Sequence, residues 1–209
     1  KNSLLTALFA VTLCLSAVLL FSAQPMIAKL LLPSLGGTPA VWNTCMVFFQ
    51  TVLLAGYAYG HTVATRPRKA SQVSVHLCLI LLALPFLPLA LNPTALSTLE
   101  NASQPVFAVM SLLTLSIGLP IFVISTTAPL LQRWYSRTDH PNAADPYFLY
   151  SASNIGSLAA LMAYPTLIEP NLALGDQRRL WSLGYLILGA LIVLCTMVRW
   201  KPRTASRQH

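Results

Sequence analysis

The chain has 209 residues, of which 56% are hydrophobic and only 9% charged. Soluble domains carry about 25% charged residues, so this composition sets the chain apart from them and points to a multipass membrane protein. The net charge of +8 sits in short loops between apolar runs, where membrane orientation explains it better than nucleic-acid binding.

Six apolar segments are expected to cross the bilayer, at residues 4–32, 39–63, 73–91, 105–134, 146–168 and 177–200. Each is long enough for ~30 Å of hydrocarbon as a helix, the form that satisfies its own backbone polar groups. The first could be mistaken for a signal peptide. It runs on through Phe21 without a small-x-small cleavage site and is read as a retained helix, bent at Pro25. Pro39, Pro105 and Pro146 stand at the starts of three segments, where a missing N–H costs nothing. Pro85 and Pro88 break the third segment late, and Gly118, Pro120 and Pro129 are kink positions in the fourth. Residues 201–209 form a basic, solvated tail.

Six crossings put both termini on one side. That side holds Lys1, Arg66, Arg68, Lys69, Arg133, Arg137, Arg199, Lys201, Arg203 and Arg207, against Lys29, Arg178 and Arg179 on the other. Ten of thirteen cations on one face predict cytoplasmic termini.

In the second segment Asn43, Gln50 and Tyr57 recur every seven residues and His61 continues the line. Seven residues are nearly two helical turns, so these side chains share one face. Amides facing hydrocarbon are costly, so the stripe is expected to face other spans or water. Gly56 and Gly60 form a GxxxG pair that permits close helix approach. The fifth segment repeats the theme. Tyr147, Tyr150, Asn154, Ser157 and Leu161 form a stripe beside small residues Ala152, Gly156, Ala160 and Ala163. Gln24 precedes Pro25, and Ser125, Thr126 and Thr127 stand where hydroxyls can bond carbonyls freed near Pro129.

Two readings of these polar groups follow. One is interhelical glue, worth about 0.6 kcal/mol per contact. The other is a polar cavity between segments one, two, four and five, marked by Gln24, Asn43, Gln50, Tyr57, Tyr150 and Asn154. No Asp or Glu lies in the middle of a segment, which argues against proton-coupled transport. Lys29 and Glu169 fall near the same end and could pair. Trp42, Trp134, Trp181 and Trp200 sit at segment ends, as an aromatic belt would. His61 and His76 read as interfacial histidines, with haem ligation the less favoured alternative. Cys14, Cys45, Cys78 and Cys195 all lie in apolar runs and read as small buried hydrophobes, neither disulfides nor metal ligands. No GxGxxG, Walker, HExxH or GxSxG pattern is present. No enzyme activity, cofactor or metal is expected.

The stretches "QPMIAKLLLPSLGGTPAVWNTCMVFFQTVLLAGYAYGH", "GLPIFVISTTAPLLQRWY" and "DPYFLYSASNIGSLAALMAYPTLIEP", with "LWSLGY" around Trp181, resemble the membrane part of bacterial fused major-facilitator/spermidine-synthase-like proteins. The resemblance covers roughly residues 15 to 200. It implies an all-α polytopic bundle, half of a major-facilitator-like fold, in a bacterial cytoplasmic (inner) membrane. Longer members add further spans and a soluble aminopropyltransferase-like domain with a glycine-rich cofactor loop. These 209 residues contain neither, so the resemblance carries no transferase activity to them. The leading expectation is therefore a non-enzymatic accessory subunit packed against other membrane proteins. A homodimeric half-transporter for a small, polyamine-like organic solute is the first alternative. The membrane anchor of an aminopropyltransferase-like enzyme is the second.

Overall fold

The computed structural model describes residues 2–65, 69–97, 105–138, 143 and 146–199; their regular structure is all helical, with no strand among them. Side chains of residues 2, 64, 65, 69–71, 105, 198 and 199 are not described. The loop arginines Arg66 and Arg68, Lys1, Trp200 and the 201–209 tail lie outside the described residues.

Helix α1 (Asn2–Leu35) runs on through Pro25 and Pro33, and α2 (Pro39–Thr65) follows after the Gly36–Gly37 turn. Gly36 takes a φ of +68°, a conformation open to glycine at little cost. Next come α3 (Lys69–Leu82), a 3₁₀ turn at Leu84–Phe86 and the short α4 (Pro93–Ser97). The fourth apolar segment is α5 (Pro105–Leu113), a π-helical stretch at Thr114–Gly118, and α6 (Leu119–Tyr135). The fifth is α7 (Tyr147–Ala163), a second π stretch at Tyr164–Ile168, and α8 (Glu169–Asn171). The last is α9 (Leu174–Arg199).

Four helical stretches are long and apolar enough to cross a membrane: Ser3–Leu35, Pro39–Val63, Val106–Tyr135 and Leu174–Met197. The third segment falls short because its α-helix stops at Leu82, and 14 residues of helix reach only about 21 Å. The fifth is long enough as continuous helix. Its tyrosines, serines and Asn154 keep it out of the apolar set.

Helix α1 is the hub. It packs along α7 and also touches α9, α6 and α2, while α2 packs on α6 and α3 bridges α6 to α9. Phe9, Leu13, Met26, Ile27 and Leu31 of α1 are fully buried, with Ile117, Ile121, Ile124 and Leu130 from the fourth segment and Leu188 and Ile192 from α9. Edge-to-face rings tie three helices together: Phe9 to Tyr135 at 5.4 Å and Tyr135 to Phe148 at 5.2 Å.

Several expectations change on the structure. Trp134 and Trp181 are buried, so they are not belt residues, whereas Trp42 is exposed. A position at a segment end does not fix the helix face, and Trp181 turns inward to donate its Nε1–H to the Leu19 carbonyl at 2.9 Å. Cys78 is exposed on α3, while Cys45 and Cys195 are buried. The hydroxyls of Ser125, Thr126 and Thr127 bond the Phe122 and Val123 carbonyls. They do not reach the Ser125 carbonyl that Pro129 leaves without its helical donor, because such hydroxyls fold back three or four residues. His76 is buried within the protein. It is 1% exposed, between α3 and α6, with Nδ1 3.4 Å from the Thr126 hydroxyl and its ring edge-on to Trp134.

Candidate functional site: the open face between α2 and α7

Helices α2 and α7 obey one rule. Their small residues face the central helices and their polar stripes face away. A methyl built on Gly56 would meet the Ser125 Cβ at 2.9 Å, and one on Gly60 would meet the Pro129 ring at 2.8 Å. Gly156 rests on the Cys14 backbone, and Ala160 beside it is buried. Close backbone approach of this kind needs small side chains, and larger residues are left on the flanks.

Asn43, Gln50, Tyr57 and His61 therefore lie exposed on α2, and Tyr147, Tyr150 and Asn154 lie exposed on α7. Asn43 and Gln50 form no internal seam against segments one, four or five, whereas Tyr57 and His61 share a cavity with residues of segments four and five. Successive helical residues are about 100° apart, so Tyr57 is turned well away from Gly56, and the glycine side wins the contact with α6.

Two cavities open between α2 and α7. The first, about 650 Å³, is lined by Tyr57, His61, Gln132, Arg133, Tyr150 and Asn154, with Gly60 and Pro129 where α2 meets α6. None of those six polar side chains hydrogen-bonds another described residue. Among the described residues the lining carries one fixed charge, that of Arg133, and no carboxylate. Burial, then the neighbouring charge of Arg133, lowers the pKa of Arg137 one turn further on from its ordinary value.

The second cavity, about 320 Å³, is lined by Gln24, Trp42, Met46, Phe49, Tyr164 and Glu169 among others. Glu169 is held by Lys29 at 3.0 Å, both partly exposed. The polar side chains marked from sequence thus divide. Gln24 lines the second cavity, and Tyr57, Tyr150 and Asn154 line the first. Asn43 and Gln50 line neither. His61, read from the sequence as continuing the α2 stripe, completes the first cavity together with Gln132 and Arg133, which the sequence reading had not marked. Their shared signal was position, since all belong to segment ends that alternation places on the same side.

The described residues contain no cluster of three or more His, Cys, Asp or Glu side chains able to hold a metal ion. Comparison with protein-family models, with curated proteins and with solved structures finds no match to this chain.

Proposed function

We propose that the chain is a non-enzymatic, six-span subunit of a bacterial inner membrane, half of a major-facilitator-like bundle, with both termini cytoplasmic. Its α2–α7 face packs against another membrane protein. The carrying observation is that Asn43 and Gln50 stand exposed along α2 with no hydrogen-bond partner among the described residues. An amide left against hydrocarbon loses its hydrogen bonds to water without replacement, so such a face calls for protein or water beside it. In the six-span reading, α3 and the 3₁₀ turn at Leu84–Phe86 supply the third crossing, and α7 with its π stretch supplies the fifth.

The cavity at Arg133 favours a second reading: two copies enclose a polar space and pass a small organic solute. An isolated half lacks the opposite wall that such a pathway needs.

The test is crosslinking in native membranes. Cysteines replace Gln50 or Ser151 in a chain whose own four cysteines are changed to alanine or serine. A product joining the chain to a second polypeptide is expected from these positions and not from Leu186 on α9, which is exposed elsewhere. A product of twice the chain mass selects the homodimer, and one containing a different polypeptide selects the accessory subunit. No product from either helix would overturn the proposal.

A further inference from the structure

We infer that the cavity at the Arg133 end of the α2–α7 face is a binding site for an organic anion bearing a phosphate or carboxylate group. The inference rests on the reading of this face as a working surface. The two fail separately, because crosslinking tests the face and anion binding tests the cavity.

The chemistry is one-sided. Arg133 is exposed to the cavity, its guanidinium is permanently charged, and none of the described lining residues is acidic. A planar guanidinium binds phosphate or carboxylate oxygens through two parallel N–H donors. Around it stand further donors: the Tyr57 and Tyr150 hydroxyls and the Gln132 and Asn154 amides, with the His61 imidazole beside them. None of these is used by another described residue. Each of them can donate a hydrogen bond to the oxygens of an anion.

The volume also bears on the ligand. About 650 Å³ is far more than a bare phosphate fills, and it lies in the range of organic-ligand sites. The two tyrosine rings, Gly60, Ala128 and Pro129 give apolar walls for the body of such a molecule. Two sources carry this chemistry: a membrane phospholipid entering headgroup first, and a soluble phosphorylated or carboxylated metabolite. Both place the anion on Arg133.

The experiment uses the full chain in nanodiscs of phosphatidylcholine. One arm adds phosphatidylglycerol and counts retained lipid by native mass spectrometry. The other adds glycerol 3-phosphate and measures binding by equilibrium dialysis. Saturable, one-to-one binding of either probe is expected. Phosphatidylglycerol retention alone assigns the lipid, and glycerol 3-phosphate binding alone assigns the soluble ligand. Arg133→Gln should weaken the bound probe about tenfold or more, because it removes a charge-assisted pair. Arg133→Lys should recover part of that loss, and Arg179→Gln on α9 should have no effect. Failure of both probes to bind, or equal binding by the wild type and Arg133→Gln, would overturn the assignment.

Discussion

Gly156 on α7 lies directly on the backbone of Cys14 on α1. A methyl built there would sit 3.1 Å from both the Cys14 Cα and carbonyl carbon, and nearer still to its oxygen. The obstacle is backbone within a helix, so it cannot rotate away as a side-chain tip would. Gly156→Ala should therefore destabilise the bundle by about 1–3 kcal/mol, in spite of the better helix propensity of alanine. Gly175→Ala, where nothing lies within 4 Å, should cost nothing. Thermal melting of the two variants in the same detergent checks the contrast. Equal melting temperatures would mean that α1 and α7 pack less closely than described.

The α1–α9 contact rests on a different device. Trp181 donates to the Leu19 carbonyl, and Gly184, one turn later, accommodates the Leu19 side chain. Trp181→Phe keeps an aromatic ring but removes the donor. The expected loss is about 1 kcal/mol for the hydrogen bond, plus a contribution from the space vacated by the smaller ring. Chemical denaturation followed by circular dichroism provides the measurement. No loss of stability would show that the bond adds nothing net.

Segment lengths and the small-residue strips could be read from spacing, because period and size are properties of the sequence itself. Three things could not. The π stretches at Thr114–Gly118 and Tyr164–Ile168 each occur beside or around a proline, Pro120 and Pro165. A proline removes one donor, but whether the helix answers with a kink or a wider turn depends on its neighbours. The inward turn of Trp134 and His76 was equally hidden, since hydropathy records depth along a helix and not its azimuth. The polar stripe of α2 was legible as a stripe. Its outward direction depended on a competition with Gly56 and Gly60 for the α6 contact, and only the assembled bundle decides that.

The Lys29–Glu169 pair joins α1 to the start of α8 across 3.0 Å, with each side chain about a third to a half exposed. Exposed pairs contribute little, because water screens them and ordering two long side chains costs entropy. A double-mutant cycle with Lys29→Met and Glu169→Gln should return a coupling below about 1 kcal/mol that shrinks at high salt. A larger, salt-insensitive coupling would place the pair in a drier setting than its exposure indicates.

Topology has its own test. Ten of the thirteen Lys and Arg residues fall on one side of the six-span reading. In a chain lacking its native cysteines, a cysteine at Ser103 should react with an impermeant maleimide added outside intact cells. One at Ser71 should react only after the membrane is opened. The reverse pattern would invert the orientation and leave the number of spans untouched.

Gln50 separates the proposals for the α2–α7 face most cleanly. It is exposed on α2, and its amide makes no hydrogen bond with another described residue. Replacing it with leucine removes an amide and adds apolar surface of similar size. Because the side chain is exposed, the isolated chain should keep its stability within about 0.5 kcal/mol of the wild type. The assembly should respond differently. If a partner covers the stripe, the mutation strands the partner's polar group, which costs about 1–3 kcal/mol and loosens association by roughly tenfold or more. Blue-native electrophoresis of membranes carrying the variant would show the complex shifting to the free chain. If α2 faces lipid instead, leucine relieves an unpaired amide, and the variant should be at least as stable and assembled as the wild type. Asn43→Leu, two turns earlier on the same stripe, should behave in the same way. An effect at one position without the other would confine the contact to half of the helix.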